Sequence, residues 1–393
     1  MAYPTYEEFV TKESWEVRDA YREATGHDPA ISDQFHNAWR RLVERWSHRD
    51  IIHDIKHEPL EDGGAGGDDD PPPPFSPFPG ELSIKGEYFE SPQGLHVRKS
   101  ITAFTLSKRA AEGKKDEAIK FMDWAVGEGF NEFRVFTQTA WTGPPDSGVE
   151  TGWGYDAEAC LWVAERARER GAYVEFVAHT FPYEVGEMVD HLRRVDQLCA
   201  ETDNAFLEVA NEPGRNNIPL QEILDLYRPR ALWSSGQYNP IPYPAGLWVN
   251  HHSGRDSEWP RKFKDAYEFH TGAGPTQVFT PTFSGPVMLD EPPQVEATPS
   301  PDDWQSYGAG CKFFGCGGTM HSNPSLQKCE IPSNGTVLAC IRAFIEGFVA
   351  VPTQRYSGYE RMDPQGSLRR YRRNGDNGKR YEISVRPFEF KEV

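Results

Sequence analysis

Eight short β-prone stretches alternate with helix-length segments between residues 81 and 350, and this alternation constrains the fold more than any other feature. The β-prone stretches are residues 94–106, 131–138, 173–179, 205–211, 231–234, 247–252, 287–291 and 316–321. One intervening segment has an apolar face formed by Val185, Met188, Val189, Leu192 and Val195. The pattern predicts an α/β protein with a (β/α)8 TIM barrel over residues 81–350. A doubly wound open sheet is the structural alternative, but no glycine-rich phosphate loop follows the first strand.

Three further segments flank the predicted barrel. Residues 1–57 have apolar side chains at three- and four-residue spacings and predict a small helical module. Residues 58–80 combine a glycine-rich piece, an acidic run and a polyproline piece, which is typical of a linker. Residues 351–393 contain Asn-Gly between two β-prone stretches and predict a C-terminal extension with a β-hairpin.

The composition restricts the classes of partner. The formal net charge is −18, which disfavours binding to nucleic acid or to anionic lipid but not to a neutral carbohydrate. The chain begins without a signal peptide, and no apolar run reaches membrane-spanning length, so we expect a soluble cytoplasmic or virion-associated protein. Six cysteines lack zinc-site spacing and are expected to be mostly buried thiols, with a contact between Cys316 and Cys329 left open.

Polar side chains end several strands that are otherwise apolar. These candidate site residues are Arg134, His179, Asn211, Glu212, His251, Glu291 and His321. The C-terminal strand ends of such a barrel form its functional face, so we expect these side chains to converge there. His251 and His252 are adjacent and face opposite sides of a strand, and His251 is the preferred candidate. Trp141, Trp153, Trp248 and Trp304 are candidate platforms for a flat ring, with half of them expected to pack in the core, and Trp141 and Trp304 are the two predicted site residues.

Five segments resemble the clan A glycoside hydrolases, a superfamily of retaining barrels that includes cellulases and β-mannanases. The segments are GEYFESPQGLHVRKSITAFTL, GFNEFRVF, FLEVANEP, GLWVNHHS and GPVMLDEPP. The resemblance implies that Glu212 is the general acid/base, that Glu291 is the nucleophile, and that Asn211 binds the sugar 2-hydroxyl. It also implies that Arg134 keeps Glu291 ionised, and that neither metal nor organic cofactor takes part. Residues 1–57 resemble helical modules of phage tail and adhesion proteins, through AYREATGHDP and AWRRL, and are a candidate surface for a protein partner.

The chain departs from the superfamily pattern in two strands. The sixth strand has His251-His252-Ser253 where His-x-Tyr is usual, and the eighth offers His321 where a tryptophan is usual. These changes leave both glutamates in place but alter the expected sugar-binding surface. A purely structural role is the alternative for Glu212, which would then cap the following helix. For His179 and His321, a structural role and a contact with substrate are equally compatible with the sequence.

Three functions are therefore compatible with the sequence. The first is a retaining glycosidase that cleaves β-glycosidic bonds in a polysaccharide or glycan with two carboxyl groups. The second is a non-catalytic carbohydrate-binding or virion-associated structural protein on the same barrel. The third is a metal-dependent hydrolase that would use His179, His251, His321 and Asp290, although its usual His-x-His on the first strand is absent.

Overall fold

The computed structural model describes ten ranges of the chain. These are residues 75–139, 152–236, 247–252, 285–290, 295, 300–314, 317–321, 325–362, 370–385 and 388–393. All of them belong to one compact unit, Pro73–Val393. The predictions for residues 1–57, for most of the linker, and for Trp141, Glu291 and Cys316 lie outside the described residues.

A small antiparallel sheet precedes the barrel. Its strands are β1 (Ser83–Lys85), β2 (Tyr88–Ser91) and β3 (Gly94–His96). Phe89 of β2 packs in one buried cluster with apolar residues of the barrel strands, among them Tyr173, Phe206 and Trp248. The sheet therefore covers one end of the barrel interior.

Eight parallel strands form the barrel. They are β4 (Arg98–Thr102), β5 (Glu132–Phe136), β6 (Tyr173–His179), β7 (Ala205–Ala210), β8 (Trp233–Ser234), β9 (Val249–His252), β10 (Val287–Asp290) and β11 (Gly317–Met320). Neighbouring strands pair in parallel, and β11 pairs with β4. A bridge between Ser234 and Trp248 joins β8 to β9, next to a hydrogen bond from Leu247 N to Trp233 O (2.9 Å). The predicted (β/α)8 barrel is confirmed.

The first predicted strand, 94–106, is in fact two strands. Gly94 has a φ of 112°, which favours glycine, and it starts β3 in the antiparallel sheet. The barrel strand is limited to β4, after which the chain turns into a helix at Leu106.

Seven α-helices are described. They are α1 (Leu106–Ala111), α2 (Lys115–Gly127), α3 (Ala157–Glu169), α4 (Val185–Glu201), α5 (Leu220–Leu226), α6 (Pro301–Phe314) and α7 (Gly335–Ala350). The predicted apolar face of α4 is buried at Met188, Val189, Leu192 and Val195, whereas Val185 is half-buried at the first turn. Asp156 caps α3 by accepting a hydrogen bond from Ala159 N (2.9 Å).

A four-stranded antiparallel sheet follows the barrel. Its strands are β12 (Tyr356–Arg361), β13 (Arg370–Gly375), β14 (Arg380–Val385) and β15 (Phe388–Glu392). The predicted hairpin joins β13 to β14 through Asn377-Gly378, and Gly378 has a φ of 80°. Tyr356 and Tyr371 share the main hydrophobic core with Phe313 and Phe314 of α6.

Two expectations from composition can be compared with the structure. Five cysteines, at positions 160, 199, 311, 329 and 340, are buried free thiols. Among the described residues, no helix combines the length and apolar character needed to cross a bilayer.

Candidate active site

Glu212 occupies a tight turn directly beyond the C-terminal end of β7. Its φ is 41°, a left-handed conformation that is uncommon for a residue with a side chain and that concentrates at functional sites. The backbone N–H groups of Arg215 and Asn216 both donate to Glu212 O (2.9 Å each). The Glu212 carboxylate is 3.2 Å from Arg215 Nη1, and the residue is 7 % exposed. The turn therefore holds this acid at the barrel mouth.

Asn211 is fixed from three sides. Its backbone N–H donates to His179 O (2.8 Å), and its own carbonyl accepts from Asn216 Nδ2 (2.8 Å). Its side-chain Oδ1 accepts from Arg134 Nη2 (2.9 Å). The structure thus brings together three of the predicted site residues, Arg134, Asn211 and Glu212.

Arg134 lies fully buried inside the barrel. It makes a two-point ion pair with Glu208, from Nε and from Nη2 (2.8 Å each), and its Nε lies 3.1 Å from Asp290 Oδ2. The guanidinium carbon is 5.4 Å from the Phe104 ring centre and 5.7 Å from that of Phe136. The predicted effect of Arg134 on Glu291 lies outside the described residues and stays a prediction.

A second buried arginine extends the ionic network. Arg98 donates to Glu132 from Nε (2.5 Å) and Nη2 (2.8 Å), and its Nη2 also donates to Glu175 (2.9 Å). Asn250 Nδ2 joins the two halves by donating to Glu175 (2.7 Å) and Glu208 (2.8 Å). Burial, partly offset by Arg98 and reinforced by nearby carboxylates, raises the pKa of Glu175 well above its usual range.

Glu175, Glu208 and Asp290 are the described residues that come closest to a cation site. One carboxylate oxygen from each lies within 4.8 Å of the others. Glu175 already accepts from Arg98, and Glu208 and Asp290 are ion-paired with Arg134. These guanidinium groups place positive charge beside the cluster and so disfavour a metal there. The metal-dependent alternative, which relies on Asp290, gains no support.

Two of the predicted histidines, His179 and His321, are buried. His179 is fully buried, with Nδ1 3.2 Å from Tyr183 Oη, and burial lowers its pKa well below the usual value. His321 is 4 % exposed, with Nδ1 3.0 Å from Thr102 Oγ1. Both lie at C-terminal strand ends, and their contact with a substrate stays a prediction.

The strand register shows where residues 251 and 252 lie along the barrel wall. In the pairing of β9 with β10, His251 lies beside Leu289 and His252 beside Asp290. Leu289 belongs to the hydrophobic core, whereas Asp290 joins the ionic network of Arg134. The side chains of His251 and His252 lie outside the described residues, so the preference for His251 stays a prediction.

Trp304 does not belong to the site. It is fully buried on α6, edge-on to Tyr307 (5.8 Å between ring centres) and Phe344 (6.0 Å). Its ring has no exposed face for a sugar, so the predicted platform role is wrong. Trp153 is half-buried against the stacked pair Phe104 and Phe136, whose ring centres are 3.6 Å apart.

The buried ionic network around Arg98 and Arg134 is not among the features predicted from the sequence, although the sequence contains a signal for it. Single charged residues interrupt apolar strands at Glu132, Glu175 and Glu208. A charge in the middle of a buried strand requires a partner, which indicates an interior ion pair. The sequence does not reveal which partner each charge takes.

Comparisons with known proteins agree with this fold. The chain is similar to a glycoside hydrolase family 5 structure from Bacteroides vulgatus, with 14 % identity, a TM-score of 0.52, and coverage of 80 % of this chain and 82 % of that one. It is also similar to a putative glycoside hydrolase structure from Bacteroides vulgatus, with 11 % identity, a TM-score of 0.51, and coverage of 78 % and 66 %. This chain thus spans about two thirds of that second structure.

Neither the protein-family models nor the curated proteins contain a match to this sequence. The similarity therefore comes from the solved structures alone, and at 11–14 % identity it shows the fold and nothing further. The described part of the chain has the same (β/α)8 barrel fold as these glycoside hydrolase structures.

Proposed function

We propose that this chain is a retaining glycoside hydrolase that cleaves β-glycosidic bonds in a neutral polysaccharide or glycan. Glu212 would be the general acid/base and Glu291 the nucleophile. The observation that carries the proposal is the turn at the end of β7, where Glu212 adopts a left-handed conformation beside an Asn211 that Arg134 orients.

The proposed mechanism assigns different charge states to the two carboxyl groups. Glu212 protonates the leaving oxygen while Glu291, which directly follows the last residue of β10, attacks the anomeric carbon. Water then hydrolyses the glycosyl-enzyme, with Glu212 now acting as the base. The net charge of −18 would repel an anionic substrate but would not repel a neutral one.

The test is hydrolysis of aryl β-glycosides, β-glucan and β-mannan in the presence of a chelator. We expect activity that resists the chelator and that falls by roughly 10²–10⁴-fold or more in Glu212→Gln and Glu291→Gln. Glu222→Gln, an exposed glutamate on α5, is the matched control and should retain activity. The anomeric configuration of the first product, followed by proton NMR, should be that of the substrate.

Three results would reject the proposal. Binding of glycans without turnover would favour a non-catalytic carbohydrate-binding protein, which the unusual sixth and eighth strands motivate. Loss of activity in chelator would favour a metal-dependent hydrolase. An inverted product would exclude the double-displacement mechanism.

A further inference from the structure

Glu208 connects the barrel interior to the site. It lies on β7, fully buried, and precedes Glu212 in the same strand-to-turn segment. Its two carboxylate oxygens accept from Arg134 Nε (2.8 Å), from Arg134 Nη2 (2.8 Å) and from Asn250 Nδ2 (2.8 Å). The two-point geometry restricts Arg134 to one orientation, because a planar guanidinium can present both N–H groups to a carboxylate in only one plane.

The orientation of Arg134 in turn determines that of Asn211. Arg134 Nη2 donates to Asn211 Oδ1 at 2.9 Å. A guanidinium has donors and no acceptor, so the amide oxygen has to face it. The Asn211 NH2 group is therefore directed away from Arg134. Asn211 is half-buried, next to Glu212, so its donors are available to a bound molecule.

We infer that Glu208 is a positioning residue: by fixing Arg134, it fixes the Asn211 amide so that Nδ2 donates to a substrate hydroxyl beside Glu212. This inference rests on the proposed function, since it assigns the origin of one contact in that same site. Glu208, inside the barrel, would thus make the site selective for a substrate that carries this hydroxyl.

A carboxylate is required at position 208 for a simple reason. Three donors converge on its two oxygens, and a glutamine would replace one oxygen with an NH2 group that also donates. One donor of Arg134 or Asn250 would then face another donor. In Glu208→Gln we expect the Arg134 guanidinium to rotate out of the plane that it shares with the Glu208 carboxylate. The Asn211 amide would then lose its fixed orientation.

Glu132 provides a matched control. It is fully buried and accepts a two-point ion pair from Arg98 Nε and Nη2, as Glu208 does from Arg134. Among the described residues, Glu132 contacts neither Asn211 nor Glu212 directly, and it reaches Glu208 only through Arg98, Glu175 and Asn250. Glu132→Gln therefore reproduces the loss of a buried ion pair without removing a direct contact of Glu208, Arg134 or Asn211.

The experiment compares an aryl β-glycoside with its 2-deoxy analogue in the full-length wild type, Glu208→Gln, Glu208→Asp and Glu132→Gln. The ratio of kcat/KM for the glycoside to kcat/KM for its 2-deoxy analogue reports the contact with the hydroxyl. We expect Glu208→Gln to lower this ratio by about tenfold or more, the size expected for one lost hydrogen bond in the transition state. Glu208→Asp, which keeps the charge, should recover part of the ratio, and Glu132→Gln should leave it unchanged.

A lower overall activity with an unchanged ratio in Glu208→Gln would overturn the inference, as would an equal fall of the ratio in Glu132→Gln. If Glu208→Gln does not fold, Glu208→Asp carries the test through its ratio alone: a partial fall is expected, and an unchanged ratio would overturn the inference. Crystal structures of the wild type and Glu208→Gln give a second readout that needs no activity. An Asn211 amide and Arg134 side chain that keep the wild-type orientation would overturn the inference. If the wild type cleaves no glycoside but Asn211 turns in the variant, the proposed function fails while the positioning role stands.

Discussion

His191 shows how one buried side chain can make the stability of this protein depend on pH. The residue is 1 % exposed, and its Nε2 lies 3.0 Å from Ala178 O and 3.1 Å from Thr137 Oγ1. A carbonyl only accepts, so Nε2 carries the proton in the neutral ring. Burial lowers the pKa of His191 from 6.5 to about 4.

The sign of the effect follows from proton binding. Between pH 6.5 and 4 the unfolded chain binds a proton at this histidine and the folded chain does not, so stability falls as the pH falls. The full loss from this group is roughly 3 kcal/mol, reached near pH 4. We predict that the difference in unfolding free energy between wild type and His191→Gln, measured in urea, shrinks between pH 7 and pH 4.5. Parallel pH curves for the two proteins would contradict this prediction.

At the residue scale, the site geometry depends on Arg134 more than on any predicted histidine. Its contacts with Glu208, Asp290 and Asn211 connect two strands to the turn of Glu212. Removing one partner of a buried ion pair leaves a charge without compensation, which typically costs about 3–5 kcal/mol. Arg134→Met should therefore lower both stability and activity. Measurements of unfolding and turnover should show both losses, and an unchanged unfolding midpoint would argue against the ion pairs.

At the scale of elements, helices α6 and α7 approach each other unusually closely. A Cβ at Gly308 would overlap Phe344 O, and one at Gly347 would overlap Gln305 O. Glycine is used here because no side chain fits between the two backbones. This contact places Trp304 and Tyr307 in the core, which explains why Trp304 is unavailable to a ligand.

We predict that Gly308→Ala destabilises the protein by about 1–3 kcal/mol, since the added methyl forces the two helices apart. Gly186→Ala, in the first turn of α4 with open space around it, is the control and should stabilise by about 0.4–1 kcal/mol. Chemical denaturation measures both changes. Equal effects of the two substitutions would show that helix contact does not limit position 308.

At the scale of the whole molecule, the C-terminal sheet and the barrel helices share one hydrophobic core. Arg373 of β13 is 2 % exposed and donates to Phe313 O (2.5 Å), Gly358 O (3.2 Å) and Tyr356 O. The guanidinium thus satisfies carbonyls of both the sheet and α6. A shared core and shared buried donors predict that sheet and barrel unfold together.

We predict that Arg373→Met lowers the denaturation midpoint of the sheet and of the barrel alike, because the carbonyls of Phe313, Tyr356 and Gly358 each lose a hydrogen bond from the guanidinium. Hydrogen exchange followed by mass spectrometry should show peptides of β13 and of β6 losing protection at the same denaturant concentration. Arg342→Ala, which removes an exposed pair with Glu128, is the control and should leave the midpoint nearly unchanged. Separate unfolding transitions for the sheet and the barrel would contradict the prediction that they unfold as one cooperative unit.

The sequence alone determined the order of the barrel strands and of the helices between them, the Asn377-Gly378 hairpin and the position of Glu212 at a strand end. These features depend on local periodicity and turn chemistry, which neighbouring residues control. Only the tertiary structure decided the partners of Glu208 and Arg134 and the burial of Trp304. Ion pairing and burial depend on strand register and barrel closure, which bring together residues far apart in the chain, and no local pattern encodes those distances.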